Sequence, residues 1–78
     1  MKESELGQAV ADGPLVVNGV DLVVPLPCTV LDLLARLEMA GKRVAVSVDR
    51  SVVPRSRHAE AIVRAGNRVE ILEAVGGG

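Results

Sequence analysis

The sequence predicts a small α+β domain in which a β-sheet closes over one long helix. Three observations predict it: fifteen valines in 78 residues, an Asn-Gly pair between two apolar runs, and one stretch of helical period, "CTVLDLLARLEMAG". β-Branched side chains suit a pleated, half-buried surface. With no aromatic residue in the chain, valine, leucine and alanine must fill the core. A chain this short supports one core that cannot be divided.

Residues 1–13 lack sustained periodicity and run into the breaker "DGP", so they are read as a flexible N-terminal arm. The domain proper is expected over residues 14–75, followed by a flexible glycine tail over 76–78. "LVVNGVDLVV" predicts a hairpin, because Asn18 and Gly19 both tolerate positive φ. Its second strand is expected near 20–24, ending at Pro25 and Pro27. Thr29 is the expected N-cap of the helix, with Asp32 three positions on and Gly41 as the C-terminal stop. Val30, Leu33, Leu34 and Leu37 then form its apolar stripe, with Arg36 off it.

"RVAVSV" alternates strictly, sending Val44, Val46 and Val48 one way and Ala45 and Ser47 the other. Asp49-Arg50-Ser51 turns the chain into a short strand at Val52-Val53, closed by Pro54. "SRHAEAIV" suits one or two helical turns capped by Ser56. Gly66-Asn67 leads into "RVEILEAV", with Val69 and Ile71 facing the core and Glu70, Leu72 and Ala74 facing out. The order is β-β-α-β-β-β with a short helical turn before the last strand, a layered α+β arrangement.

Net charge is −1, from nine basic and ten acidic residues, which gives no electrostatic case for nucleic acid or an anionic membrane. The lack of aromatics also removes the stacking platforms of single-strand binders. One cysteine allows no internal disulfide and argues against a structural zinc site. No apolar run approaches the roughly 18–20 residues of a membrane span, and the N-terminus is polar and acidic, so the expected compartment is the cytoplasm.

A catalytic set is hard to assemble. The single histidine, His58, lies among Arg55, Arg57 and Glu60 and is read as a solvated or capping residue of a surface turn. Cys28 precedes the helix, where the dipole lowers a thiol pKa, but it is read as a small hydrophobe packing at the helix start. Glu38, Glu60, Glu70 and Glu73 show no paired arrangement for acid/base work, and no metal site is expected. Arg55, Arg57, Arg64 and Arg68 are read as a solvated surface, with a docking patch for an acidic partner as the alternative. Gly76-Gly77-Gly78 fits no phosphate loop, because no helix follows it. Three bare residues extend about 10 Å and can thread a channel too narrow for side chains.

"VVNG", "TVLDLLARL", "VAVSVDRSVVPRS" and the end "RVEILEAVGGG" together resemble the ThiS family, sulfur carriers of thiamine biosynthesis with the ubiquitin-like β-grasp fold. The resemblance implies a five-stranded mixed sheet grasping the helix, with first and last strands side by side at its centre. It implies a protein co-substrate, not an enzyme, with no bound cofactor; ATP is used by the activating partner. A ThiF-type enzyme would adenylate the Gly78 carboxylate, and sulfur relayed from cysteine by a desulfurase would convert it to a thiocarboxylate. A ThiG-type thiazole synthase would receive that sulfur. Gly76 and Gly77 would insert into the partner, and Leu72, Ala74 and Arg55 are candidates for the partner-facing surface. The chain departs from the family's pattern at Asn67, where an aspartate is usual, at His58, where an aromatic residue is common and looser packing is expected, and in the arm 1–13, which has no counterpart.

Two other readings compete. A MoaD-like carrier for molybdopterin or cysteine synthesis shares the tail chemistry but ranks second, because its aromatic core residues are missing here. A β-grasp regulatory domain that never activates its C-terminus would keep its function without Gly77 and Gly78.

Overall fold

The computed structural model describes residues 10–74. Seven strands, one helix and one 3-10 turn follow in order: β1 Ala11–Val17, β2 Val20–Leu26, β3 Cys28–Thr29, α1 Val30–Arg36, β4 Val44–Val48, β5 Ser51–Val53, the 3-10 turn Arg55–Arg57, β6 Ile62–Val63 and β7 Arg68–Glu73. The main sheet has the order β2-β1-β7-β4-β5. β7 lies at its centre, parallel to β1 through Val16↔Arg68 and Val17↔Val69, and antiparallel to β4 from Val48↔Val69 to Val44↔Glu73. This is the mixed sheet that the resemblance implies.

The period-2 patterns place the core. Leu15 and Val17 of β1, Val24 and Leu26 of β2, Val46 of β4, and Val69 and Ile71 of β7 are buried on one face of the sheet. Val30, Leu33 and Leu34 of α1 are buried against them, each fully buried aliphatic side chain contributing about 1.5–3 kcal/mol. The helix start is as expected: the Thr29 hydroxyl accepts from the Asp32 N–H at 2.9 Å, and the Asp32 carboxylate accepts in return from the Thr29 N–H at 3.4 Å.

Five expectations need correction. β1 begins at Ala11, inside the segment read as an arm. Pro14 is accommodated there because its carbonyl accepts from the Gly66 N–H. Its missing N–H therefore points along the same side, away from β2, and removes no bond from that ladder. β2 likewise continues through Pro25 to Leu26, which the edge position of the strand tolerates.

The helix stops at Arg36, not at Gly41. Glu38 turns left-handed at φ 63°, its N–H donating to the Ala35 carbonyl while the Met39 N–H donates to Leu34 at 2.7 Å. This is the glycine-type helix stop, occupied here by a glutamate. Gly41, at φ 85°, serves the following turn, and Leu37 is only half-buried.

Ser56 caps nothing; it lies inside the 3-10 turn, which follows Pro54 without a side-chain cap. Finally, β6 pairs antiparallel with β3 in a separate two-stranded sheet, Cys28↔Val63 and Thr29↔Ile62. It fastens the helix start to the segment before β7.

Candidate functional site

The site is built around β7, the strand that leads to the glycines. Gly76, Gly77 and Gly78 lie outside the described residues; what the fold displays is their point of departure. β7 is held on both flanks by main-chain ladders, and after Glu73 the Ala74 N–H still donates to the Arg43 carbonyl at 3.0 Å. Lys42 lies 3.6 Å from the Glu73 carboxylate, an exposed pair that contributes little by itself.

Two side chains complete those ladders where the neighbouring strands turn away. At the end of β1 the Asn18 N–H donates to the Val69 carbonyl, and the main chain then enters the Asn18-Gly19 turn, with φ 51° and 80°. The Asn18 side-chain amide continues the pairing: its oxygen accepts from the Ile71 N–H at 2.8 Å and its nitrogen donates to the Ile71 carbonyl at 3.1 Å. An amide is the one side chain that copies a peptide group's donor and acceptor together. At the end of β4 the Asp49 N–H donates to the Arg68 carbonyl, and the Asp49 carboxylate accepts from the Arg68 N–H at 2.8 Å.

Asp49 also explains Asn67. The Asn67 amide donates to the second Asp49 oxygen at 2.8 Å, while its own oxygen accepts from the Arg64 N–H at 2.7 Å. An aspartate at position 67 would keep the second bond and set two carboxylates against each other in place of the first.

The outer face of the sheet, opposite the helix, is apolar around β7. Leu72 is 75 % exposed and Val52 77 %. Leu72 pairs with Ala45, and Val52 with Ser47, which in turn pairs with Glu70. Asn18, Ala45, Ser47, Val52, Glu70 and Leu72 line a shallow depression of about 530 Å³. Of the surface candidates, Leu72 is part of this depression. Ala74 is exposed just beyond the strand, and Arg55 is exposed on the 3-10 turn; neither lines it. Val52 and Ala45 were missed as members of the patch. The alternation of "VAVSV" and the register across one hairpin carry the signal that finds them.

His58 is not a solvated residue. It is 7 % exposed, and its ring Nε2–H donates to the Val53 carbonyl at 3.3 Å. Its own carbonyl accepts from the Leu31 N–H at 2.9 Å, linking the 3-10 turn to α1. The imidazole occupies a buried place and supplies a bond there. Cys28 is half-buried, and its thiol pKa is raised, by burial first and by the Asp32 carboxylate second, with Arg36 opposing. Cys28 packs against the core, as the reading of it as a small hydrophobe expects.

No described helix is long and apolar enough to cross a membrane. The ThiS family model matches residues 15–78. A thiazole synthase from Paramagnetospirillum magneticum is 36 % identical over 64 residues, which cover 82 % of this chain and 20 % of that protein. The chain thus spans about a fifth of that relative's length. The crystal structure of the thiamine biosynthesis protein ThiS from Geobacter metallireducens superposes with a TM-score of 0.72 at 32 % identity, covering 83 % of this chain and 99 % of that one. By the family match and the likeness of the two structures, this chain belongs to the ThiS family of β-grasp sulfur carriers.

Proposed function

We propose that this carrier is activated at the Gly78 carboxylate and delivers sulfur to a thiazole synthase. The observation that carries the reading is the placement of β7: a clamped central strand whose continuation, in the sequence, is Val75 and three glycines. A rigid handle fixes where the tail starts, and glycines let the backbone pass through a narrow channel.

A carboxylate resists sulfur nucleophiles because it has no good leaving group. In the proposed sequence the Gly78 carboxylate attacks the α-phosphate of ATP on a ThiF-type enzyme, releasing pyrophosphate. A desulfurase moves the sulfur of cysteine onto a relay thiol as a persulfide, which attacks the Gly78 carbonyl and displaces AMP as an acyl disulfide forms. A thiol reductant then cleaves the S–S bond and leaves the thiocarboxylate. Gly78 has no side chain to hinder its carboxylate's attack on the phosphate or the later attack of sulfur on its carbonyl. The apolar patch around Leu72 and Val52 offers the docking surface, because exposed aliphatic area beside the tail gains most from being covered. The name of the Paramagnetospirillum relative, a thiazole synthase containing a stretch like this chain, supports that enzyme class as the sulfur acceptor.

The test is intact-protein mass after incubation with ATP, a sulfur donor and a ThiF-type adenylating enzyme. The expected result is a gain equal to exchanging one oxygen for sulfur, mapped to Gly78 and abolished when Gly78 is deleted. An unchanged mass with competent ThiF-type and MoaD-activating enzymes sinks the carrier mechanism and leaves a regulatory binding domain.

A further inference from the structure

The end of the sheet from which the tail departs is cationic, although the whole chain carries a net charge of −1. Arg43 contributes the last main-chain contact to the departing strand, through the Ala74 N–H, and its side chain is exposed with no ion pair among the described residues. Lys42 stands beside it on Glu73. β5 runs antiparallel to β4 and therefore in the same direction as β7. Beyond its Val53↔Val46 pair the chain continues toward the tail end through Pro54 to Arg55, also exposed and without an ion pair among the described residues. Lys42, Arg43 and Arg55 thus belong to this end of the sheet, where Lys42 meets the Glu73 carboxylate; Glu70, on the outer face, lies back along the strand opposite Ser47.

We propose that Lys42, Arg43 and Arg55 form a collar that docks on an acidic rim around the channel of the adenylating enzyme. The inference rests on the carrier reading above. Four residues follow Ala74, and at full extension they span about 13 Å. An active site that takes up the terminal carboxylate must therefore bring its channel mouth down to the collar. Covering unpaired cations costs desolvation unless carboxylates meet them. The adenylating enzyme is the partner with most to gain, because the tail carboxylate must approach an anionic triphosphate. The collar makes the approaching end net positive and steers it toward an acidic entrance.

The experiment is steady-state pyrophosphate release by a ThiF-type enzyme with ATP, a sulfur donor and a thiol reductant in excess, with the full chain as varied substrate, across a series of salt concentrations. The triple variant Lys42→Glu/Arg43→Glu/Arg55→Glu is expected to raise KM about ten-fold at low salt with kcat nearly unchanged. KM of the unaltered chain is expected to climb with salt while that of the variant stays flat or falls. Arg43→Gln, which keeps the main-chain contact to Ala74, should show a smaller shift in the same direction and covers the case in which the triple variant fails to fold. Turnover of every form with one KM at every salt concentration overturns the collar and leaves the carrier reading standing. An unaltered chain that releases no pyrophosphate overturns both. A KM shift seen only with a thiazole synthase, and not with the adenylating enzyme, also overturns the proposal as stated.

Discussion

The two tight hairpins of the main sheet turn away from the central strand in the same manner and are built from different chemistry. At Asn18-Gly19 a neutral amide reaches back to both polar groups of Ile71, and the second turn position, at φ 80°, is a glycine. At Asp49-Arg50 a carboxylate reaches back to one N–H, that of Arg68, and the second position, at φ 70°, is an arginine. Both turns open on a left-handed non-glycine residue, Asn18 at φ 51° and Asp49 at φ 49°; the second hairpin adds another in Arg50. The first grips the half of β7 nearest the tail, and the second grips the far end. Each end of the central strand is thus held by a turn side chain as well as by main-chain bonds.

The largest effect should come from removing the amide clamp. Asn18→Ala leaves the Ile71 N–H and carbonyl without partners and puts alanine in a left-handed turn, for an expected loss of about 2–3 kcal/mol in urea unfolding. Asn18→Gly keeps the turn and isolates the two bonds, so it should lose most but not all of that. Hydrogen exchange at the Ile71 amide should quicken in both. Equal stability of all three chains would show that the amide copies a ladder without contributing to it.

A smaller loss is expected from Asn67→Asp, about 1 kcal/mol at neutral pH, because it sets a second carboxylate against Asp49 at the surface. The loss should shrink as salt rises, since screening weakens the repulsion between the two surface carboxylates. A salt-independent loss would assign the effect to the lost hydrogen bond alone.

The smallest change should be a gain. Arg50→Gly relieves the left-handed backbone at a modest entropic cost and should stabilise by about 0.5 kcal/mol in thermal unfolding. Destabilisation would mean that the arginine side chain contributes to the folded state beyond its backbone strain.

Both hairpins were legible in the sequence, because turn chemistry is local: Asn-Gly needs no tertiary context, and "VAVSV" announces its faces by alternation. The capping box of Thr29 and Asp32 was legible for the same reason. What escaped depends on partners distant in the chain. β3 and β6 are two residues each and exist only by pairing with one another. The helix end was misplaced because Gly41 carries the expected stop signal while Glu38 does the stopping. His58 looked solvated among its charged neighbours, and only the folded turn brings its ring under cover and against the Val53 carbonyl. Around the site, Leu72 was visible as an outward residue of β7, whereas Val52 joins it only through the β7-β4-β5 register.

Beside the parallel pairing of β1 with β7, the Asn18–Ile71 bonds join positions 53 residues apart. A ribosome makes the chain from its amino end, so the strand at the middle of the sheet emerges after all the strands it joins. β1 and its hairpin must wait, with one flank unpaired, until β2 to β6 have been made. A message truncated before β7 yields a sheet split into two hairpins with nothing between them. Completion of the fold and appearance of the glycines are thus nearly one event, and quality control of the handle doubles as quality control of the tail.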